Sequence, residues 1–344
     1  MQRILMPQTY FLSSRCCLLP LRGAPMERLL VCLGEILFDF LPIERDQEPN
    51  SFRLQPGGGP FNVAVGLARL GQPTAFVGKV GADYFGRRLR RSVRAEGIDD
   101  RWLRSAAAPT TLAFVAIEDG EPVFSFYGAG AADTLLEADE LPAEFFERTG
   151  LFHFGGISLL HGTTPAAALA AAEGLRGRAL VSLDINVRPL LISDEAAYRA
   201  TVQRAIAACD LLKLSVADVA WLAPGVNPND YALAQLAQGP TLIALTQGDA
   251  GVSSLRYLNG QLERLEQPSF KVEVADTVGA GDAFTAGLLD ALANHAIFER
   301  TALATMPTAD LRAALRQGAA TAALTCTRPG ADPPKRAELY HLRL

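Results

Sequence analysis

Short apolar runs, each followed by a stretch with helical spacing, recur along most of this chain, and that rhythm limits the folds open to it. Arg28–Phe40 begins with LLVCLG, a continuous apolar run ending in glycine, as a central parallel strand requires. PGGGPFNVAVGLARLG follows, a glycine-rich turn with Pro60 at a first helical turn and Val63, Leu67 and Leu70 at helical spacing. TAFVGKVG, LFHFGG, ALVSLDIN, LLKLS and TLIALTQG read as further strands; DYFGRRLRRSVRAEG, TPAAALAAAEGLRG and DEAAYRATVQRAIAAC read as helices. Alternation of this kind predicts an α/β fold: a three-layer, doubly wound, mostly parallel sheet. Residues 110–127 differ in texture. Their β-branched and aromatic runs flank Asp119-Gly120, a hairpin signal, and with the polar stretch near 40–56 they predict a small separate β-sheet lid from about 40–56 and 108–130. A second hairpin centres on Asn259-Gly260. Two helical patterns close the chain, and the stretch 293–310 between them carries no readable motif.

Composition removes several classes of function. The 344 residues are 49% hydrophobic and 20% charged, which excludes disorder as the main state. The 32 basic and 37 acidic residues give a net charge of −5, which argues against a nucleic-acid partner or a basic membrane-surface role. Cys16, Cys17, Cys32, Cys209 and Cys326 form no C-x-x-C pair, so buried thiols in a reducing cytoplasm are expected rather than zinc or disulfides. No apolar run approaches the roughly 18 residues of a membrane-spanning helix. Residues 1–25, interrupted by Arg15 and Arg22, read as an ill-ordered extension or the product of an upstream start, with the folded unit covering 26–344.

Two segments carry the chemistry. Asp276-Thr277-Val278-Gly279-Ala280-Gly281-Asp282 is a small-residue turn opening a helix. Free N–H groups and the positive helix end make such a turn an anion hole suited to phosphate. Asp282 falls in the first helical turn, where spacing alone leaves two readings open: a helix cap, or a general base beside the phosphate cradle. Gly57-Gly58-Gly59-Pro60-Phe61-Asn62 lets backbone approach a ligand, and Asn62 offers donor and acceptor together. It is neither a G-x-G-x-x-G fingerprint nor a P-loop, which argues against a dinucleotide dehydrogenase and a P-loop kinase.

With both motifs in this order, the chain resembles the ribokinase-type sugar kinases (the PfkB carbohydrate kinases), and among them the bacterial fructokinases. GGGPFNVAVGLARLGQPTAFVGKVGADYFG and DTVGAGDAFTAG match the family's two signatures, and GEILFDFLP, LFHFGGISL, DINVRPLL and AALTCTRPGADPP are fructokinase-like. The resemblance implies transfer of the ATP γ-phosphoryl to a sugar's primary hydroxyl, fructose first, with ketodeoxygluconate, ribose or a related sugar as alternatives. It implies that Asp39, Gly58, Gly59 and Asn62 hold the sugar, and that Asp282 is the base over an anion hole of Gly279, Ala280 and Gly281. It places Thr246, Gly248, Gly251 and Lys213 on the nucleotide side, and Arg188 within reach of an anion. Asp218 stands one methylene short of the glutamate that orders Mg²⁺ through water in the family, and Asp276 with the loop 325–330 matches a K⁺ site. A homodimer through the lid is expected, as is an alternative of another class, an idle sugar-binding regulator on the same scaffold.

Overall fold

The computed structural model describes residues 28–43, 50–118 and 121–340; the expectations for residues 1–25, Cys16, Cys17 and the Asp119-Gly120 turn lie outside them. The strands are β1 Leu29–Leu33, β2 Leu37–Pro42, β3 Phe52–Gly57, β4 Thr74–Gly81, β5 Leu103–Ala106, β6 Leu112–Glu118 and β7 Glu121–Tyr127. The second half adds β8 Thr149–Gly155, β9 Leu180–Asp184, β10 Leu211–Ser215, β11 Leu242–Thr246, β12 Val252–Leu258 and β13 Gln261–Gln267. Nine of them form one sheet in the order β13-β12-β11-β10-β9-β8-β1-β4-β5. Every pairing from β11 to β5 is parallel, and β12 and β13 add an antiparallel edge.

The strands alternate their apolar side chains between two cores, which is why they read as continuous apolar runs. Along β1, Leu29, Val31 and Leu33 enter one core while Leu30 and Cys32 enter the other. The first core meets the helices Thr164–Leu175 and Glu195–Ala208; the second meets Gly59–Arg69, Tyr84–Ala95, Ala280–Asn294 and Thr308–Cys326. From β1 the chain builds outward one way through β4 and β5, then returns to add β8 to β11 on the other side. The carboxyl ends of β1 and β8 are therefore the switch point, where open α/β sheets bind ligands.

The helix Ala280–Asn294 is buried along almost its whole length, from Asp282 to Ala293. Small residues make that possible. A Cβ on Gly66 would lie 2.5 Å from Ala286, one on Gly287 2.4 Å from Thr321, and one on Gly318 2.9 Å from Phe284. The flanking helices thus close on it at a distance that larger residues would forbid. Within it Asp290, fully buried, accepts from Gln72, Gln317 and Arg336 and ties both neighbours and the C-terminal segment together. The stretch 293–310 belongs to this scaffold. It contains the helix Arg300–Thr305, Arg300 pairs with Asp210 at 3.1 Å, and the carbonyl of Leu303 accepts from the buried Arg256.

A second sheet has the order β3-β2-β6-β7. Its register puts Asp39 opposite Gln55 and Ala113, and Ala113 opposite Phe126, so these four share one face. The other face is aromatic. Phe40 stacks on Phe114 at 4.3 Å, Phe52 and Tyr127 meet Phe114 edge-on, and Tyr127 is 65% exposed.

Candidate active site

The two sheets meet over a cavity of about 370 Å³. Its walls bring together Asp39, Gly58, Gly59, Asn62, Arg188, Lys213, Gly279, Gly281 and Asp282, residues scattered across most of the sequence.

Asp282 is set by the helix that carries it. Gly279 is the N-cap, in the left-handed region at φ 75°, and a Cβ there would lie 2.5 Å from Ala331. Two residues further the chain is helical, and Asp282 is 8% exposed. Its Oδ2 accepts from Asn62 Nδ2 at 2.8 Å, across 220 positions of sequence, and the helix start has no side-chain cap. The carboxylate therefore faces the cavity instead of closing its own helix. Burial pushes its pKa up; the Asn62 hydrogen bond, Lys213 and Arg188 pull it back. At the same helix start the Ala280 N–H donates to the Thr277 carbonyl. That leaves the N–H groups of Gly279, Gly281 and Asp282 without a backbone acceptor among the described residues, so Ala280 drops out of the anion hole the motif implies.

Lys213 reaches this point from β10. Its register partner on β9 is Asp184, and Nζ lies 3.0 and 2.9 Å from the two carboxylate oxygens. Burial opposes its charge, but Asp184, Asp218 and Asp282 together hold its pKa above the ordinary value. A Cβ on Gly281 would stand 3.1 Å from Nζ, so the ammonium lies directly against the turn.

Across the cavity is the other glycine turn. A Cβ on Gly57 would sit 2.1 Å from Asp39 Oδ2, and one on Gly58 2.5 Å from the Glu35 carbonyl. Burial and the nearby Asp282 raise the Asp39 pKa to about 6 against the pull of Arg188. Arg188 itself is exposed and forms no ion pair among the described residues. Its Nη1 is held by its own loop, through Asn186 Oδ1 at 2.5 Å and the Val187 carbonyl at 3.2 Å.

Three expected groups stand outside the cavity wall. Thr246, Gly248 and Gly251 lie at the carboxyl end of β11, where Thr246 pairs with Ser215 in register and donates to the Leu214 carbonyl. Gly248, at φ 60°, has open space around it, whereas Gly251 is needed because a Cβ would strike the Gln267 carbonyl at 2.2 Å. Asp218 forms a capping box with Ser215 and also accepts from Val187 N at 2.7 Å. Asp276 accepts from Val278 N at 3.0 Å and from Gly330 N at 2.6 Å, which joins its turn to the 325–330 loop.

The structure adds three residues. Asn186, in the left-handed region at φ 48°, lines the cavity and orients Arg188. Asp184 anchors Lys213. Glu35, 3% exposed, also lines the cavity. All three lie inside the phrases GEILFD and DINVR, but nothing in their residue types announces burial.

A carboxylate at the mouth of a buried helix, facing a pocket floored by a second glycine turn, is the arrangement of a small-molecule phosphotransferase. The PfkB family carbohydrate kinase model matches residues 27–338, and the chain belongs to that family. It is 36% identical over 325 residues to fructokinase-1 of Zea mays, an alignment spanning 91% of this chain and 97% of that one. Among solved structures, fructokinase from Xylella fastidiosa with bound ATP superposes with a TM-score of 0.83 at 30% identity, covering 92% of this chain and 99% of that one. Fructokinase from Vibrio cholerae O395, in a fructose, ADP and calcium ion bound form, superposes with a TM-score of 0.78 at 26% identity, covering 92% and 99%. No helix among the described residues is long and apolar enough to cross a membrane.

Proposed function

We propose that this kinase transfers the γ-phosphoryl of ATP to the primary hydroxyl of fructose, giving fructose 6-phosphate and ADP. The observation that carries the reading is the placement of Asp282, buried at a helix start, bonded to Asn62 and facing the same cavity as Asp39. The likeness to proteins named fructokinase supports the sugar, as does the Vibrio cholerae complex with fructose and ADP.

In this mechanism Asp39, Gly58, Gly59 and Asn62 hold the sugar. A carboxylate accepting from neighbouring hydroxyls is well matched to that task. Asp282 takes the proton of the primary hydroxyl as its oxygen bonds to the γ-phosphorus and the bond to the ADP oxygen breaks. A base with a raised pKa is better suited to that transfer than an ordinary aspartate. The N–H groups of Gly279 and Gly281, the helix dipole and Lys213 meet the charge on the phosphoryl oxygens. Arg188 offers a further cation at the cavity rim. Thr246, Gly248 and Gly251 would lie beside the rest of the nucleotide, along the ends of β10 and β11.

Two ions belong to the reading. Mg²⁺ neutralises phosphate charge when bound, usually through substrate oxygens, waters and one or two carboxylates. Asp218 fits a water-mediated part in that set, because Oδ1 accepts one N–H and keeps a further acceptor direction while Oδ2 accepts two hydrogen bonds. Asp276 fits a K⁺ site, each oxygen carrying a single N–H, but the nearby Cys326 carbonyl already accepts from Ala275 and Asp276. The small sheet, carrying Asp39 and Phe126 over the cavity, would act as the lid, and its aromatic face, half-buried apart from the exposed Tyr127, would pair two copies. Dependence on ATP supports a cytoplasmic setting.

A coupled assay of ADP release across a sugar panel tests the reading. Release that depends on fructose above the other sugars is expected; release with none of them would overturn it and favour a binding role.

A further inference from the structure

Glu35 is a buried carboxylate with no cation. Buried acids are ordinarily paired, yet among the described residues no lysine or arginine bonds to this one. Its partners are two backbone amides. Gly59 N donates to Oε1 at 2.9 Å and Ser158 N donates to Oε2 at 3.1 Å. Gly59 opens the helix Gly59–Arg69, whose positive end favours a carboxylate there. Ser158 lies in the turn after β8, where Gly156 and Ile157 line the cavity. The side chain thus spans the switch point between the ends of β1 and β8.

The surroundings are shaped to that carboxylate. A Cβ on Gly156 would stand 2.6 Å from Oε1, and Gly156 sits at φ 66°. Burial and the nearby Asp133 push the Glu35 pKa up to about 8, against the pull of its own backbone amide and those of Gly59 and Ser158. The same helix start carries Asn62, whose side chain holds Asp282. Whatever sets the position of Gly59 therefore sets the sugar-side floor and the partner of the base together.

We propose that Glu35 is a positioning residue of the sugar site: its carboxylate ties the Gly59 turn to the Ser158 turn and fixes the spacing of the two walls between which the sugar lies. The inference rests on the reading of this cavity as the sugar site. A glutamine cannot serve both amides, since only its oxygen accepts and its NH₂ would face an N–H. Losing one of these buried hydrogen bonds is worth about tenfold in binding.

Glu35→Gln and Gly156→Ala break the same tie from opposite sides. Each should raise the sugar KM about tenfold and leave the ATP KM within about twofold. The double variant should be little worse than the more damaging single one, because the second change finds the tie already broken. The measurement is steady-state ADP release with the sugar that the wild type uses best, alongside melting temperature. A lowered melting temperature or kcat with an unmoved sugar KM in both variants would make Glu35 merely structural and overturn the inference. Were Glu35→Gln not to fold, Gly156→Ala decides alone on the same criterion. A wild type that releases no ADP with any sugar strikes the reading of the cavity and this inference with it; an active wild type with unmoved KM in both variants strikes this inference only.

Discussion

The two glycine turns that floor the cavity look alike in sequence and differ in what crowds them. At Gly57 and Gly58 the space for a side chain is taken by Asp39 and by the Glu35 backbone. At Gly281 it is taken by the ammonium of Lys213. One turn is bounded by carboxylates and suits hydroxyl groups; the other is bounded by a cation and free amides and suits phosphate. A glycine-rich turn is thus a neutral platform, and the charge of the side chains behind it decides what it receives.

The largest expected effect separates chemistry from binding. Asp282→Asn keeps size and the contact region but cannot take a proton. Its kcat should fall by about 10²–10⁴-fold with both substrate affinities within a few-fold. Near-normal turnover with a lower melting temperature would return Asp282 to a structural role. Next, if its partners are the sugar hydroxyls as proposed, Asp39→Ala should lower kcat/KM for the sugar by about 30- to 100-fold and leave the ATP KM nearly unchanged. Sugar kinetics identical to wild type would remove Asp39 from the site.

A crossed pair sharpens the contrast further. Gly57→Ala pushes on Asp39 and should raise the sugar KM by roughly tenfold. Gly281→Ala pushes on the Lys213–Asp184 pair and should instead raise the ATP KM, by roughly the same factor. If both variants move the same KM, the assignment of the two turns is wrong.

The smallest effect is on stability. The Glu35 pKa rises from near 4.5 to about 8 on folding, so its contribution is fullest at low pH and is lost as pH rises towards 8. Asp39, Asp133 and Asp184 are also raised, but only to about 6. Between pH 6.5 and 8 the wild type should lose stability more steeply than Glu35→Gln, by at most about 1.4 kcal/mol per pH unit. Equal slopes in chemical denaturation would show that Glu35 ionises normally.

What was legible from residues alone follows from how local each feature is. Central strands such as LLVCL declare themselves because both faces are buried. The Asn259-Gly260 turn declares itself because its dipeptide adopts positive φ at both residues, 52° and 77°. The helices Val216–Leu222 and Pro228–Leu236 and the strand Leu103–Ala106 are not legible in the sequence, being short and weakly patterned. Asp282 is legible as a candidate, but its hydrogen bond to Asn62, 220 positions away, is not. Glu35 is hidden for the same reason in stronger form, since one of its hydrogen-bond partners, Ser158, lies 123 positions away. The lysine that faces Gly281 owes its place to strand register with Asp184, which no motif encodes.

The hydrogen bond from Asn62 to Asp282 has a consequence for how the protein is made. Its two ends leave the ribosome 220 residues apart, a delay of about 10–45 s at ordinary rates of synthesis. Until then a nascent chain can present the first glycine turn but has no helix start opposite it. A chain that has not yet reached Gly279 therefore carries the sugar-side wall but no phosphate cradle for ATP.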